Sequence, residues 1–223
     1  RSIHTSIDIT VEPRCCDHGE MTAFASLLAR PGVEEVSELR GKLGFMAYHG
    51  GSLEAMTDVI ARQAAERCGA SCYSVIQPPG MRDHLPSIQV RPDESEHLAA
   101  FVEHVDIVIT VHGFGRRGFF GSLLLGGTNR PFADHVGAAL RQRLPAYDIR
   151  TDIDSIPEQL RGLHPANPVN LPRQAGVQIE LPPRVRGSSP LWWDWEGPGL
   201  TPHTESLIDG LAHAAATWTM TDT

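Results

Sequence analysis

The residues Asp106-Ile-Val-Ile-Thr-Val111 run without interruption into His112-Gly113. Isoleucine, valine and threonine are stiff at χ1 and fit the pleated surface of a sheet better than the wall of a helix. Apolar residues here follow one another instead of alternating with polar ones. Neither face of the segment is therefore left for water, and the run predicts a central strand buried on both sides. Strands of that kind belong to largely parallel sheets covered by helices.

The rest of the chain repeats the theme. Ile7, Ile9 and Val11 alternate as a strand does, and Met21 to Leu28 reads as a short helix. Leu43 to Tyr48 is a compact apolar run that stops at His49-Gly50-Gly51. From Ser52 the period changes: Leu53, Met56, Ile60 and Ala64 share a helical face that ends near Cys68-Gly69. Strands are expected at Tyr73 to Ile76, Leu123 to Leu125, Tyr147 to Thr151 and Gly176 to Leu181. Helices are expected around Leu98, Phe101 and Val105, from Pro131 to about Leu144 with Asn129 near the N-cap, and from Glu205 to Trp218. Strands separated by helical segments predict one α/β domain over 1–223, a mostly parallel sheet between helices. The Pro/Trp-rich stretch 182–202, with Trp192, Trp193 and Trp195, reads as a rim or an extended wrap.

Composition removes several function classes. No run approaches the ~18–20 apolar residues of a membrane span. A charge of −8, from 27 acidic and 19 basic residues, argues against nucleic-acid binding. Cys15 and Cys16 are adjacent, and Cys68 and Cys72 bracket a helix end, so buried thiols are expected and no disulfide framework. The first residues lack a charged segment followed by an apolar one, which makes the cytoplasm the default expectation, with secretion after processing left open.

His49 and His112 each end a predicted buried strand and each precede glycine. In open α/β sheets, ligands gather at the C-terminal edge of the strands. Glu54 follows five residues after His49, where the first turn of the next helix is expected. Two histidines and a glutamate form the ligand set of hydrolytic zinc sites that keep a fourth position for water. In Gly176-Val-Gln-Ile-Glu-Leu181 the period of two puts Gln178 and Glu180 on the face opposite Val177, Ile179 and Leu181. Glu180 is then either a solvated strand charge or a base facing a cleft, and spacing leaves both open.

These motifs together resemble the poly-γ-glutamate hydrolases of bacteria and phages, relatives of the zinc carboxypeptidases. The resemblance rests on His49-Gly-Gly-Ser-Leu-Glu54 with Thr57, on Thr110-Val-His112-Gly113, on Gly126-Gly127-Thr-Asn129, and on Asn167-Pro-Val-Asn170 leading into Gly176 to Glu180 and Arg186. It covers residues 40–190 in the family's order. It implies a single-domain three-layer α/β/α sandwich with a mixed, mostly parallel sheet of the zinc-carboxypeptidase kind. It also implies one Zn²⁺ per chain on His49, Glu54 and His112, with Glu180 as the catalytic glutamate. The reaction would be hydrolysis of a γ-glutamyl-type or related amide, with Glu180 moving a proton from the attacking water to the leaving nitrogen. A cation beside the carbonyl oxygen would come from Arg116, Arg117, Arg173 or Arg186; a solvated surface pair is the competing reading of Arg116-Arg117. Asn129 joins these arginines as a substrate-binding candidate. Where the carboxypeptidases carry Asn-Arg, this chain has Asn170-Leu171 with Arg173 two positions on, so either Arg173 reaches the same place or the substrate lacks that carboxylate. The substrate expected is a small-molecule or peptide-like amide, a polyanion included, although the chain's own acidity would repel one.

Other classes fit less well. Gly50-Gly51-Ser52 and Gly121-Ser122 do not make a Gly-x-Ser-x-Gly elbow. Gly113-Phe-Gly115-Arg-Arg-Gly118 matches a dinucleotide fingerprint, but Phe119-Phe-Gly-Ser-Leu does not open a helix. The remaining alternatives are a catalytically idle zinc- or anion-binding protein on the same fold, and a deacylase of N-acyl amino acids.

Overall fold

A computed structural model describes residues 22–192, 196–197 and 199–219. The expected strand at Ile7 to Val11, the start of the first helix at Met21, Cys15, Cys16, Trp193 and Trp195 lie outside these residues. Seven strands form one sheet: β1 (Glu34–Glu38), β2 (Leu43–Gly51), β3 (Ser71–Gln77), β4 (Ile107–Gly113), β5 (Ser122–Leu125), β6 (Asp148–Arg150) and β7 (Gly176–Leu181). Their spatial order is β1-β3-β2-β4-β7-β5-β6. Strands β3, β2, β4 and β7 run parallel. β1 joins β3 antiparallel, β5 joins β7 antiparallel, and β6 runs parallel to β5.

β4 takes the middle position, as its unbroken β-branched run requires. Its alternation divides the core. Ile107, Ile109 and Val111 face one layer together with Phe45 and Ala47 of β2 and Val177 and Ile179 of β7. That layer is closed by the helices α2 (Thr57–Cys68), α4 (Arg130–Arg143) and α5 (Pro202–Thr217). On the other face Val108 packs with Met46, Tyr48 and Tyr73 against α1 (Ala23–Leu28) and α3 (Glu96–His104), through Phe24, Leu98 and Phe101. The result is a mixed three-layer α/β/α sandwich. Among the described residues no helix is long and apolar enough to cross a membrane.

Two differences from the sequence reading bear on the site. Helix α2 begins at Thr57, not near Ser52, because Met56 adopts a left-handed φ of 76°. Glu54 therefore sits in a turn rather than in a helix, and its backbone N–H donates to the His49 carbonyl (2.9 Å). Second, the edge strand β1 has the sequence Glu-Glu-Val-Ser-Glu, whose charge hides it from a hydrophobic pattern. Acidic side chains on an edge also discourage pairing with another chain.

Candidate active site

β2 slips its register on β3 between Ala47 and Gly50. Bulges of this kind re-aim side chains and are common beside active sites. Here the slip brings two consecutive residues, Tyr48 and His49, to the same centre. Their ring centroids lie 4.9 and 5.0 Å from that of His112, at the end of β4. Gly51 completes the turn with φ 68°, and a Cβ there would fall 2.2 Å from the Gln77 carbonyl oxygen, so no larger residue fits.

The turn that follows returns Glu54 to the two imidazoles. Its Oε1 is 3.0 Å from His49 Nδ1 and its Oε2 is 3.4 Å from His112 Nδ1, while the Gly113 N–H donates to Oε2 (2.8 Å). One ligating atom from each of the three residues lies within 4.8 Å of the others. The far sides of both rings are occupied: His49 Nε2 meets the Leu85 carbonyl (2.9 Å) and His112 Nε2 meets the Tyr48 hydroxyl (3.0 Å). A carbonyl only accepts, so His49 carries its proton on Nε2 and turns the Nδ1 lone pair toward Glu54. Outer partners of this type fix the tautomer and orientation of a metal-binding histidine. Electron-pair donors facing one another in this way need a proton or a cation between them, and the set suits zinc. Burial would raise the Glu54 carboxyl, but His112 and His49 hold it well below the usual carboxylate range. Burial opposes a charged His112, yet Glu54 outweighs it and the imidazole is raised above its ordinary value.

Glu180 is Cα-paired with His112 across β4 and β7, and its side chain is buried at 4% exposure. Of the two readings the period leaves open, the solvated strand charge does not hold: Glu180 is buried and lines a cleft. Burial raises its carboxyl to about 7, against the lowering effect of His112. A hydrogen-bond chain supports it. The Val169 N–H donates to Asn167 Oδ1 (3.2 Å), Asn167 Nδ2 donates to Gln178 Oε1 (2.9 Å), and Gln178 Nε2 donates to Glu180 Oε1 (2.9 Å). The backbone donor at Val169 fixes the polarity of every later link, so Glu180 receives a proton donor. Tyr48 also reaches Asn167 Oδ1, at 3.4 Å, which ties this chain back to His112.

These groups open on a cleft of about 910 Å³, lined by His49, Glu54, His112, Gln178 and Glu180 at its base, and by loops carrying His84, Phe114 and residues 158–164. The His84 ring stands 4.9 Å from His49, and burial together with His49 lowers its pKa.

Not every candidate from the sequence reaches this cleft. Arg186 is buried just behind it, donating to the carbonyls of Leu181 (3.0 Å) and Ala55 (2.5 Å), and its charge acts on both Glu54 and Glu180. Arg116 and Arg117 are exposed in the loop after β4 and do not line the cleft. Asn129 is consumed as the cap of α4: its Oδ1 accepts from the Phe132 N–H (3.0 Å) and its Nδ2 donates to the Gln174 carbonyl (2.8 Å). Arg173 pairs with Asp106 (3.2 Å) ahead of β7 and β4, at the opposite edge of the sheet from Glu180. It does not stand in for the missing arginine after Asn170, whose own side chain holds Thr128 and the Gly162 and His164 carbonyls. Sequence reasoning assigned no role to Tyr48, Asn167 or Gln178. The period of two placed Gln178 beside Glu180, whereas nothing periodic marks Asn167.

No curated protein sequence matches the chain. Among solved structures, a bacteriophage poly-gamma-glutamate hydrolase superposes with a TM-score of 0.69 at 17% identity, covering 82% of this chain and 88% of that one. A zinc-free apo structure named YNDL gives 0.68 at 17% identity, covering 83% and 90%. At these identities the likeness establishes the fold. The family model described as poly-gamma-glutamate hydrolase matches residues 19–189, most of the chain and all of the site above, and the chain therefore belongs to the poly-gamma-glutamate hydrolase family.

Proposed function

We propose that this hydrolase is zinc-dependent and cleaves an amide bond, of the γ-glutamyl type or a related N-acyl amide, with Glu180 handling the proton of the attacking water. The observation that carries the reading is the convergence of one ligating atom each from His49, His112 and Glu54 within 4.8 Å, beside a buried Glu180 in the same cleft. His49, Glu54 and His112 would hold the ion. Zinc in such a site supplies Lewis acidity, polarising a carbonyl oxygen and acidifying water.

The chain's own residues supply the rest. Leu85 and Tyr48 lock the two imidazoles in place, and the Gly113 N–H fixes one oxygen of Glu54. Gln178 leaves Glu180 Oε2 as the oxygen not engaged in that bond, and so the one to take a proton from water. A carboxyl held near 7 can accept a proton and release it again to a departing amine at neutral pH. The full set argues against an idle binding protein, since binding alone has no use for a buried base at that position.

Metal content by mass spectrometry on untagged protein tests the reading. About one zinc per chain is expected, largely lost in His112→Ala, whose partner Glu54 keeps only His49. Glu180→Gln should keep the metal and lose hydrolysis by about 10²–10⁴-fold. Absence of stoichiometric metal after zinc is added back would overturn the mechanism.

A further inference from the structure

Among the described residues that line the cleft, Arg161 is the one lysine or arginine. It stands on the wall formed by residues 158–164, and that loop is pinned through its backbone. The Arg161 carbonyl accepts from the Gly127 N–H (2.7 Å), and the Asn170 side chain donates to the carbonyls of Gly162 (2.7 Å) and His164 (3.0 Å). Gly162 makes the bend with φ 63°, and a Cβ there would fall 2.6 Å from Gln178 Oε1, so the loop lies directly against the residue that supports Glu180. None of these contacts uses the side chain of Arg161 or of His164.

Those two side chains keep donors in hand. Arg161 Nε donates to the Ile156 carbonyl (2.9 Å), which tethers one edge of the guanidinium. Among the described residues neither Nη atom makes a hydrogen bond: Nη2 stands 4.0 Å from Asp154, a side chain 88% exposed, beyond hydrogen-bond reach and screened by water. His164 Nδ1 accepts from the Ala166 N–H (3.1 Å), so the neutral ring carries its proton on Nε2, and His164 lines the same cleft. A planar guanidinium held at one edge presents its remaining N–H groups as the fork that a carboxylate accepts at two points. Because the loop and the Nε edge are already fixed, less freedom is lost on binding. The other arginines do not compete for this part. Arg116 and Arg117 do not line the cleft, Arg173 is at the opposite edge of the sheet, and Arg186 donates to backbone carbonyls behind the base.

We propose that Arg161, with His164 on the same loop, anchors a carboxylate that the substrate carries beside its scissile amide. The inference deepens the amide hydrolysis proposed above and rests on that reading. It makes Arg161 the residue that selects an anionic group near the bond, on a loop that Asn170 and Gln178 hold in register with Glu180. The carboxylate belongs either to the acyl side of the amide or to the amine side, and the test separates the two.

The probes are γ-glutamylalanine and its two monoamides, in which a carboxamide replaces either the glutamyl α-carboxylate or the alanine carboxylate. Binding to the full-length chain is measured by calorimetry in a Glu180→Gln background, so that no probe is cleaved, with and without added zinc. At least one monoamide should bind about tenfold or more weakly than γ-glutamylalanine, the lower end of what a hydrogen bond to a charged group gives. The weakened monoamide identifies the side of the amide that is anchored. Arg161→Gln should erase that difference by weakening the probes that carry the anchored carboxylate, and should leave the monoamide without it unchanged. Arg161→Lys, which keeps the charge and gives up the fork, should restore part of the difference. The proposal is overturned if neither monoamide is weakened, if the difference survives in Arg161→Gln, if all three probes weaken alike as a merely structural role requires, or if γ-glutamylalanine does not bind up to its solubility. Because the ranking is also read without zinc, its failure is distinct from failure of the metal mechanism, which metal content and the activity of Glu180→Gln decide.

Discussion

Gln178→Leu isolates what the buried hydrogen-bond chain contributes. Gln178 is 4% exposed and makes two bonds of 2.9 Å, accepting from Asn167 and donating to Glu180. Leucine nearly fills the same space without a polar atom. Asn167, itself 4% exposed, would keep the Val169 and Tyr48 donors on Oδ1 but lose its partner at Nδ2. An orphaned buried donor costs about 1–3 kcal/mol, and a lost bond to an ionised carboxylate about 1.5–3 kcal/mol. The two bonds share one side chain, so the total should be about 2–5 kcal/mol. Only the second part depends on pH. Gln178 lowers the Glu180 pKa, so its removal pushes that value further above about 7. At pH 5.5 Glu180 is protonated in both proteins, whereas at pH 8 only the parent keeps a supported carboxylate. Urea denaturation of metal-free protein should therefore show a larger loss at pH 8 than at pH 5.5. In a Glu180→Gln background the two losses should become equal. A cost below about 0.5 kcal/mol, or one that is the same at both pH values in the parent background, would refute the network as drawn.

Other consequences follow from the same contacts. Glu180 in the folded chain has its pKa raised from 4.5 to about 7, so folding takes up a proton in that interval and stability falls as pH rises through it. The full loss is on the order of 3 kcal/mol at most, and pH-dependent melting of the metal-free Glu180→Gln chain should lack it. Gly126→Ala should cost about 1–3 kcal/mol, because its Cβ would fall 2.2 Å from the Arg161 backbone oxygen; Gly115→Ala, with nothing within 4 Å, should be within about 0.5 kcal/mol of neutral. Arg173→Ala removes an exposed ion pair with Asp106 and should cost under about 1 kcal/mol, with hydrolysis and zinc content unchanged. A loss of activity there would mean that Arg173 reaches the substrate after all.

What the sequence made legible was the strands and the atoms at their ends. An unbroken run such as Ile107 to Val111 can only be buried on both faces, and a period of two fixes the side on which Glu180 stands. The start of α2 was not legible. Ser52 to Met56 continues the helical spacing, yet the bulge in β2 and the left-handed Met56 keep those residues in a turn. The spacing from His49 to Glu54 suggests the first turn of a helix, but it is a turn ahead of α2 that brings the carboxylate back to the ring.

Strand direction explains why Arg173 lies away from the cleft. A residue just before a parallel strand lies at the edge opposite to one just after it. Six residues of β7 at about 3.3 Å each put roughly 20 Å between those edges. Arg173 precedes β7 and Glu180 ends it, so the two were separated as soon as Gly176 to Leu181 was recognised as a strand. Arg186 follows the same strand and folds back on its last carbonyl, which keeps it at the site. Asn129 lies off the cleft for another reason: its side chain caps α4 and meets the Gln174 carbonyl. The cleft walls come from residues 84–88 and 158–164, loops without any period to read. The candidate ligands and Glu180 therefore sit at or beside strand ends that a sequence exposes, while much of the cleft wall is built from loops whose return path only the folded chain determines.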